Sequence, residues 1–106
     1  MGVKIADFEL ICPFCGGNYL HQGKTTLYER GEDEGTCAMT VVDGFTTTVD
    51  ARASGLDNPS ARRHGLTVEF ACEFEGGDDH AKTPIVLCIA QHKGNTKVFW
   101  QHEGDY

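Results

Sequence analysis

The chain of 106 residues carries 16 acidic against nine basic side chains, a formal net charge of -7, and five cysteines. That length suits one domain with one core, residues 1–106, and the mixed composition is that of an ordinary globular protein. The acidic balance argues against a broad basic face for nucleic acid. No stretch approaches the ~20 apolar residues of a membrane span. The N-terminus lacks the apolar core of a signal peptide and fails the myristoylation pattern at Ala6, so a cytoplasmic protein is expected.

In chain order, Ala6, Phe8, Leu10 and Cys12 alternate over residues 3–11 and predict a half-buried strand that delivers Cys12 to the core. Residues 18–30 read as a return strand, a break at Gln22-Gly23-Lys24, and a further strand over residues 25–30. An acidic loop, Gly31-Glu32-Asp33-Glu34-Gly35, follows. Asp43-Gly44 then predicts a two-residue hairpin that sets Val42 opposite Phe45 and Thr40 opposite Thr47. Residues 51–65 form a loop, interrupted by Gly, Pro and Asn, with room for one short helical turn.

The clearest strand covers residues 66–74, with Leu66, Val68, Phe70, Cys72 and Phe74 on one side. A second acidic loop runs through Gly76, Gly77, Asp78 and Asp79 to His80. Pro84 opens a strand over residues 85–91, and Gly94-Asn95 turns it into another over residues 96–101. That turn sets Ile89 opposite Trp100 and Ala90 opposite Phe99, so large apolar side chains coincide. The fold class expected is mainly β: one small domain of six or seven antiparallel strands and hairpins, with a zinc-ribbon-like knuckle.

That knuckle is Cys12-Pro13-Phe14-Cys15-Gly16-Gly17. Proline stiffens the turn, and the glycines let backbone N–H groups fold back toward the two sulfurs. Two thiolates held this way suit one zinc ion, and a closed structural site takes four ligands. Cys72, ending a strand before a Gly-rich turn, is the natural third. A regular second knuckle within residues 72–80 would place cysteine at position 75, where this chain has Glu75. Glu75 and His80 therefore compete for the fourth position, with Cys88 behind them. A ribbon that has lost its metal is the plain alternative. Cys37 and Cys88 lie within strands and read as small buried hydrophobes.

Three other chemistries leave weaker marks. Cys-Pro-Phe-Cys resembles the active-site frame of glutaredoxins, and Thr83-Pro84 the proline that faces such a site. Gly16-Gly17-Asn18 starts a helix badly, however, so the thiol pKa lacks its usual helix-terminus support. No Ser/His/Asp set, HExxH or phosphate-cradling loop is present, and a non-enzymatic protein is expected. Arg52, Arg62, Arg63 and Lys93 offer a local anion or nucleic-acid site, against which the net charge weighs. Pairing of Arg62 and Arg63 with the acidic loop at 32–34 is the simpler reading.

The succession Cys-Pro-x-Cys-Gly-Gly, Leu20-His21-Gln22, Arg30-Gly31-Glu32-Asp33, Asn58-Pro59-Ser60-x-Arg62-Arg63-His64-Gly65, Phe70-x-Cys72-Glu73 and Gln91-His92-Lys93-Gly94 resembles short zinc-ribbon proteins of bacteria, especially actinobacteria, and their phages. The resemblance implies a ribbon whose second knuckle is normally Cys-x-x-Cys, matched at Cys72 and broken at Glu75. It also implies a phage or prophage origin. The function expected is an acidic, zinc-stapled interaction module for a protein partner, either a host-factor inhibitor or a virion accessory. A nucleic-acid-associated ribbon using Arg52, Arg62, Arg63 and Lys93 is the alternative, and a thiol–disulfide protein stands behind both.

Overall fold

The computed structural model describes residues 2–31, 35–55, 57–61, 63–72 and 85–103. It is mainly β, as expected, with eight strands among the described residues. β1 (Ile5–Ala6) and β2 (Glu9–Leu10) form a small antiparallel pair. β3 (Leu20–Glu29), β4 (Cys37–Asp43), β5 (Thr46–Ala53), β6 (Gly65–Cys72), β7 (Ile85–His92) and β8 (Asn95–Trp100) build one antiparallel sheet in the order β5-β4-β3-β6-β7-β8. No helix among the described residues is long and apolar enough to cross a membrane.

The N-terminal strand expected over residues 3–11 is instead a hairpin. Asp7 and Phe8 take positive φ angles of 51° and 67°, so the chain reverses between them and leaves Phe8 fully exposed at the tip. Two consecutive left-handed residues are the geometry of a type I′ turn. Asp7-Phe8 lacks the glycine that usually signals one, and the alternation through Phe8 therefore misled.

The break expected at Gln22-Gly23-Lys24 is a bulge inside one ten-residue strand. Leu20 pairs with Cys72 and Gln22 with Phe70, but Thr25 pairs with Val68, which leaves one extra residue on β3. A one-residue insertion swaps the faces of everything beyond it. Leu20 and Leu27, an odd number of positions apart, thereby reach the same face of the sheet.

Both long hairpins have registers two residues away from those expected. Asp43 pairs with Thr46, Val42 with Thr47 and Thr40 with Val49, so the loop is Gly44-Phe45. Gly44, at φ 63°, supplies the left-handed first position of that loop, and Phe45 projects into solvent. Likewise His92 pairs with Asn95, Leu87 with Trp100 and Ile89 with Val98, so the second loop is Lys93-Gly94. There Lys93 takes the positive φ of 55°. A shift of two keeps every side chain on its face. The expected short helical turn within 51–65 is absent from the described residues, where β5 continues to Ala53.

Two coverings make the core. On one face, Cys12, Ile85 and Trp100 are buried beneath Val3, Leu10 and Phe14, beside Leu20, Phe70, Cys72 and Leu87. The opposite face buries Val86, Cys88, Ala90 and Phe99 in one cluster and Tyr28, Cys37 and Ala53 in another. The segment before β6 crosses against this second face. A Cβ at Gly65 would overlap Asn58 Oδ1 and come within 2.8 Å of the Pro59 ring, so only glycine lets Asn58-Pro59 lie there. Ser60, 2 % exposed, ties the crossing to β7 by donating its hydroxyl to the Gln91 carbonyl at 2.6 Å.

Candidate metal centre

The knuckle closes on itself through its backbone. Gly16 N–H donates to the Cys12 carbonyl at 3.1 Å, and Cys12 N–H donates to the Gly17 carbonyl at 2.8 Å. Gly16 takes φ 76°. Gly17 N–H then turns toward the thiol and donates to Cys15 Sγ at 3.4 Å. A hydrogen bond to sulfur favours its thiolate form, the form that binds metal. Phe14, between the cysteines, stacks on His102 with ring centroids 4.9 Å apart. Gly2 N–H donates to the Glu103 carboxylate at 3.2 Å. The ring contact holds the knuckle, and the Gly2 bond the N-terminal segment, against the residues that follow β8.

Cys72 arrives from the far end of β6, where its partner in β3 is Leu20. Its Sγ lies 3.6 Å from Cys15 Sγ, and the sulfurs of Cys12, Cys15 and Cys72 all fall within 4.8 Å of one another. Three sulfurs bound to one tetrahedral ion at ~2.3 Å would sit about 3.8 Å apart. Sulfurs within 4.8 Å of one another, with one pair at 3.6 Å, suit one face of such a tetrahedron. None of the five cysteines is disulfide-bonded. The three thiols can hold a metal ion, and an all-sulfur donor set suits soft or borderline ions such as zinc, copper(I) or iron–sulfur iron.

Burial grades across the site. Cys12 is 2 % exposed beneath the knuckle, Cys72 is half-buried, and Cys15 faces solvent. Glu75 and His80, the candidates for the fourth ligand, lie outside the described residues, as does the rest of the expected second knuckle through residue 80.

The two remaining cysteines behave as their strand positions suggested. Cys37 and Cys88 are 3 % and 1 % exposed and pack in the clusters on the opposite face. Burial pushes the Cys88 thiol up to about 11, which makes it a poor ligand and a poor nucleophile at neutral pH.

The basic residues are dispersed. Arg52 is exposed on the edge strand β5, in a cleft shared with Tyr28 and Asp57. Lys93 is exposed at the β7–β8 turn, four strand spacings or ~19 Å across the sheet. Arg63 is half-buried, its Nε shielded from solvent without a hydrogen-bond partner, while its backbone N–H donates to Ser60 Oγ at 3.0 Å. Arg62 and the acidic loop at 32–34 lie outside the described residues. Histidine serves structure here: His64 Nδ1 accepts the Arg30 N–H at 3.0 Å, and His102 caps Phe14.

Sequence reasoning missed the second half of the knuckle's support, His102, Glu103 and the Trp100 floor. The one available signal was Phe14 itself, an aromatic inside a turn that must find a covering partner. Comparison with family models, with curated proteins and with solved structures finds no match for this chain.

Proposed function

We propose that the chain is a small, non-enzymatic interaction module, stapled by a zinc ion at Cys12, Cys15 and Cys72 and presenting its sheet to a protein partner. The observation that carries this reading is the convergence of three thiols from two segments 57 residues apart. Such a centre would tie the N-terminal knuckle to β6, with Glu75 or His80 completing the closed site that structural zinc prefers. Zinc supplies cohesion there and no bond-making chemistry.

The partner reading draws on the face of the sheet beyond the knuckle. Pairing aligns Val49, Thr40, Leu27, Leu66, Ile89 and Val98 in one row across all six strands. Val49 is 67 % exposed, Val98 50 % and Leu27 38 %, and the row carries no charge. A contiguous uncharged row on an acidic protein fits a protein surface that is itself apolar, and offers nothing to phosphates. The resemblance to phage and bacterial zinc ribbons points to a host-factor inhibitor or a virion accessory as the setting. The dispersed positions of Arg52 and Lys93 give the nucleic-acid alternative less support.

The test is partner capture with matched variants. The wild-type protein should retain a partner in defined stoichiometry, Leu27→Asp and Val98→Asp should lose it, and Arg52→Ala with Lys93→Ala should keep it. Salt-sensitive nucleic-acid binding that depends on Arg52 and Lys93, with no effect at Leu27 or Val98, would reverse the reading.

A further inference from the structure

The three thiols of the centre differ in access. Cys15 is exposed, Cys72 half-buried, and their sulfurs are 3.6 Å apart. Cys12 shares the CxxC motif with Cys15 but is packed against Ile85 and Trp100, 2 % exposed. A disulfide needs its sulfurs at ~2.05 Å, so the Cys15–Cys72 pair must close by about 1.5 Å. Cys15 sits in a turn next to Gly16, a short connection that can make that movement, whereas Cys12 is held by its backbone bond to Gly17.

We propose that the Cys15–Cys72 pair is an oxidation site for hydrogen peroxide, which exchanges the metal staple for a covalent one. The inference rests on the metal reading only for ion release; the cross-link itself follows from the positions of the two thiols. The Cys15 sulfur attacks the peroxide O–O bond, gains a hydroxyl to become a sulfenic acid, and one water leaves. The Cys72 sulfur then attacks that sulfur, the S–S bond forms, and the hydroxyl departs as a second water. The two electrons removed from the thiol pair reduce one peroxide, and the two thiol protons, or protons from solvent when thiolates are metal-bound, end in the water formed. With two of its sulfurs spent, the centre gives up its ion.

The pairing is the unexpected part. Spacing along the chain favours Cys12–Cys15, the local CxxC disulfide of redox proteins, while solvent access favours the long-range Cys15–Cys72, because Cys12 is buried and the other two are not. An oxidised knuckle would therefore remain attached to β6, and its covering of Trp100 would survive loss of the ion.

The experiment uses the full chain purified without oxygen, its metal content recorded first. Equimolar hydrogen peroxide is added, the freed ion is followed with a chromogenic chelator, and peptides are mapped without reduction. The expected result is a dominant Cys15–Cys72 peptide, release of nearly all bound metal in step with it, and Cys12 alkylated only after denaturation. Cys72→Ser should block the cross-link and leave a Cys15 sulfenic acid that dimedone traps; Cys12→Ser should still form it. A dominant Cys12–Cys15 peptide, or no cross-link at peroxide levels that oxidise free cysteine, overturns the proposal. Metal-free protein that still forms the Cys15–Cys72 bond would count against the metal reading and in favour of the cross-link.

Discussion

The two ends of one sheet face have different fates. At the Cys72 end, the knuckle and the β1–β2 hairpin cover Ile85 and Trp100 so well that the indole is fully buried. At the other end, Val49, Leu27 and Val98 stand 38–67 % exposed on the same face. The strands are equally apolar at both ends; what differs is the covering. A sheet supplies one apolar face per side, and something must be laid over it before that face becomes core. Here the covering is some fifteen residues with only two-residue strands of their own, which have little intrinsic stability. The metal tie proposed between that segment and β6 would hold it in place.

Removing the tie is the strongest way to break the contrast. Chelation, or Cys12→Ser and Cys72→Ser, should lower stability by roughly 3 kcal/mol or more, on the order of 15 °C in Tm by calorimetry. Trp fluorescence should shift red at the same time, as the covered end comes to resemble the open one. If chelator left Tm and emission unchanged, the two ends would not differ for the reason given. Trp100→Ala removes the floor beneath the knuckle and should cost about 3–5 kcal/mol in urea unfolding, whether or not metal is present.

The opposite face sharpens the comparison, because the chain crossing that covers it is held without metal. Gly65→Ala forces a Cβ against Asn58 and Pro59 and should cost about 1–3 kcal/mol, with metal content unaltered. Alkaline pH probes the same face. The Cys88 thiol, ordinarily near 9.0, is raised to about 11 in the folded state, so the unfolded chain loses its proton first. Stability should be complete below pH 9 and fall as pH rises toward 11, by up to about 2–3 kcal/mol. Tyr28, raised by burial and then by Asp57, Cys37 and Cys88, adds to the same loss. Denaturation titrations of Cys88→Ala should show a flatter decline. The smallest effect belongs to the open end: Val49→Thr should change stability by no more than about 0.5 kcal/mol, since so little of that side chain is buried.

Which parts of this were legible in the residues follows from the period of a strand. Face assignments survived errors of register: Leu87, Ile89, Val98 and Trp100 share a side whether the loop is Gly94-Asn95 or Lys93-Gly94, because a slip of two conserves orientation. The loops themselves were misplaced by one residue because Gly44 occupies the first left-handed position of its turn and Lys93 adopts one without being glycine. The bulge at Gly23-Lys24 looked like a turn, since a phase change in hydrophobic alternation has the same signature in both. For the centre, Cys12, Cys15 and Cys72 were readable from a two-residue spacing and one clean strand. Their support was not, because His102 and Glu103 come from the other end of the chain and meet Phe14 and Gly2 only through the fold.

The central claim, a metal held by three thiols, is tested most directly by elemental analysis and sulfur-sensitive X-ray absorption on protein purified without oxygen. The account predicts about one ion per chain with at least three sulfur neighbours near 2.3 Å, lost in Cys12→Ser and Cys72→Ser and kept in Cys88→Ala. Folded, metal-free protein indifferent to chelator, or full metal content retained without Cys72, would contradict it.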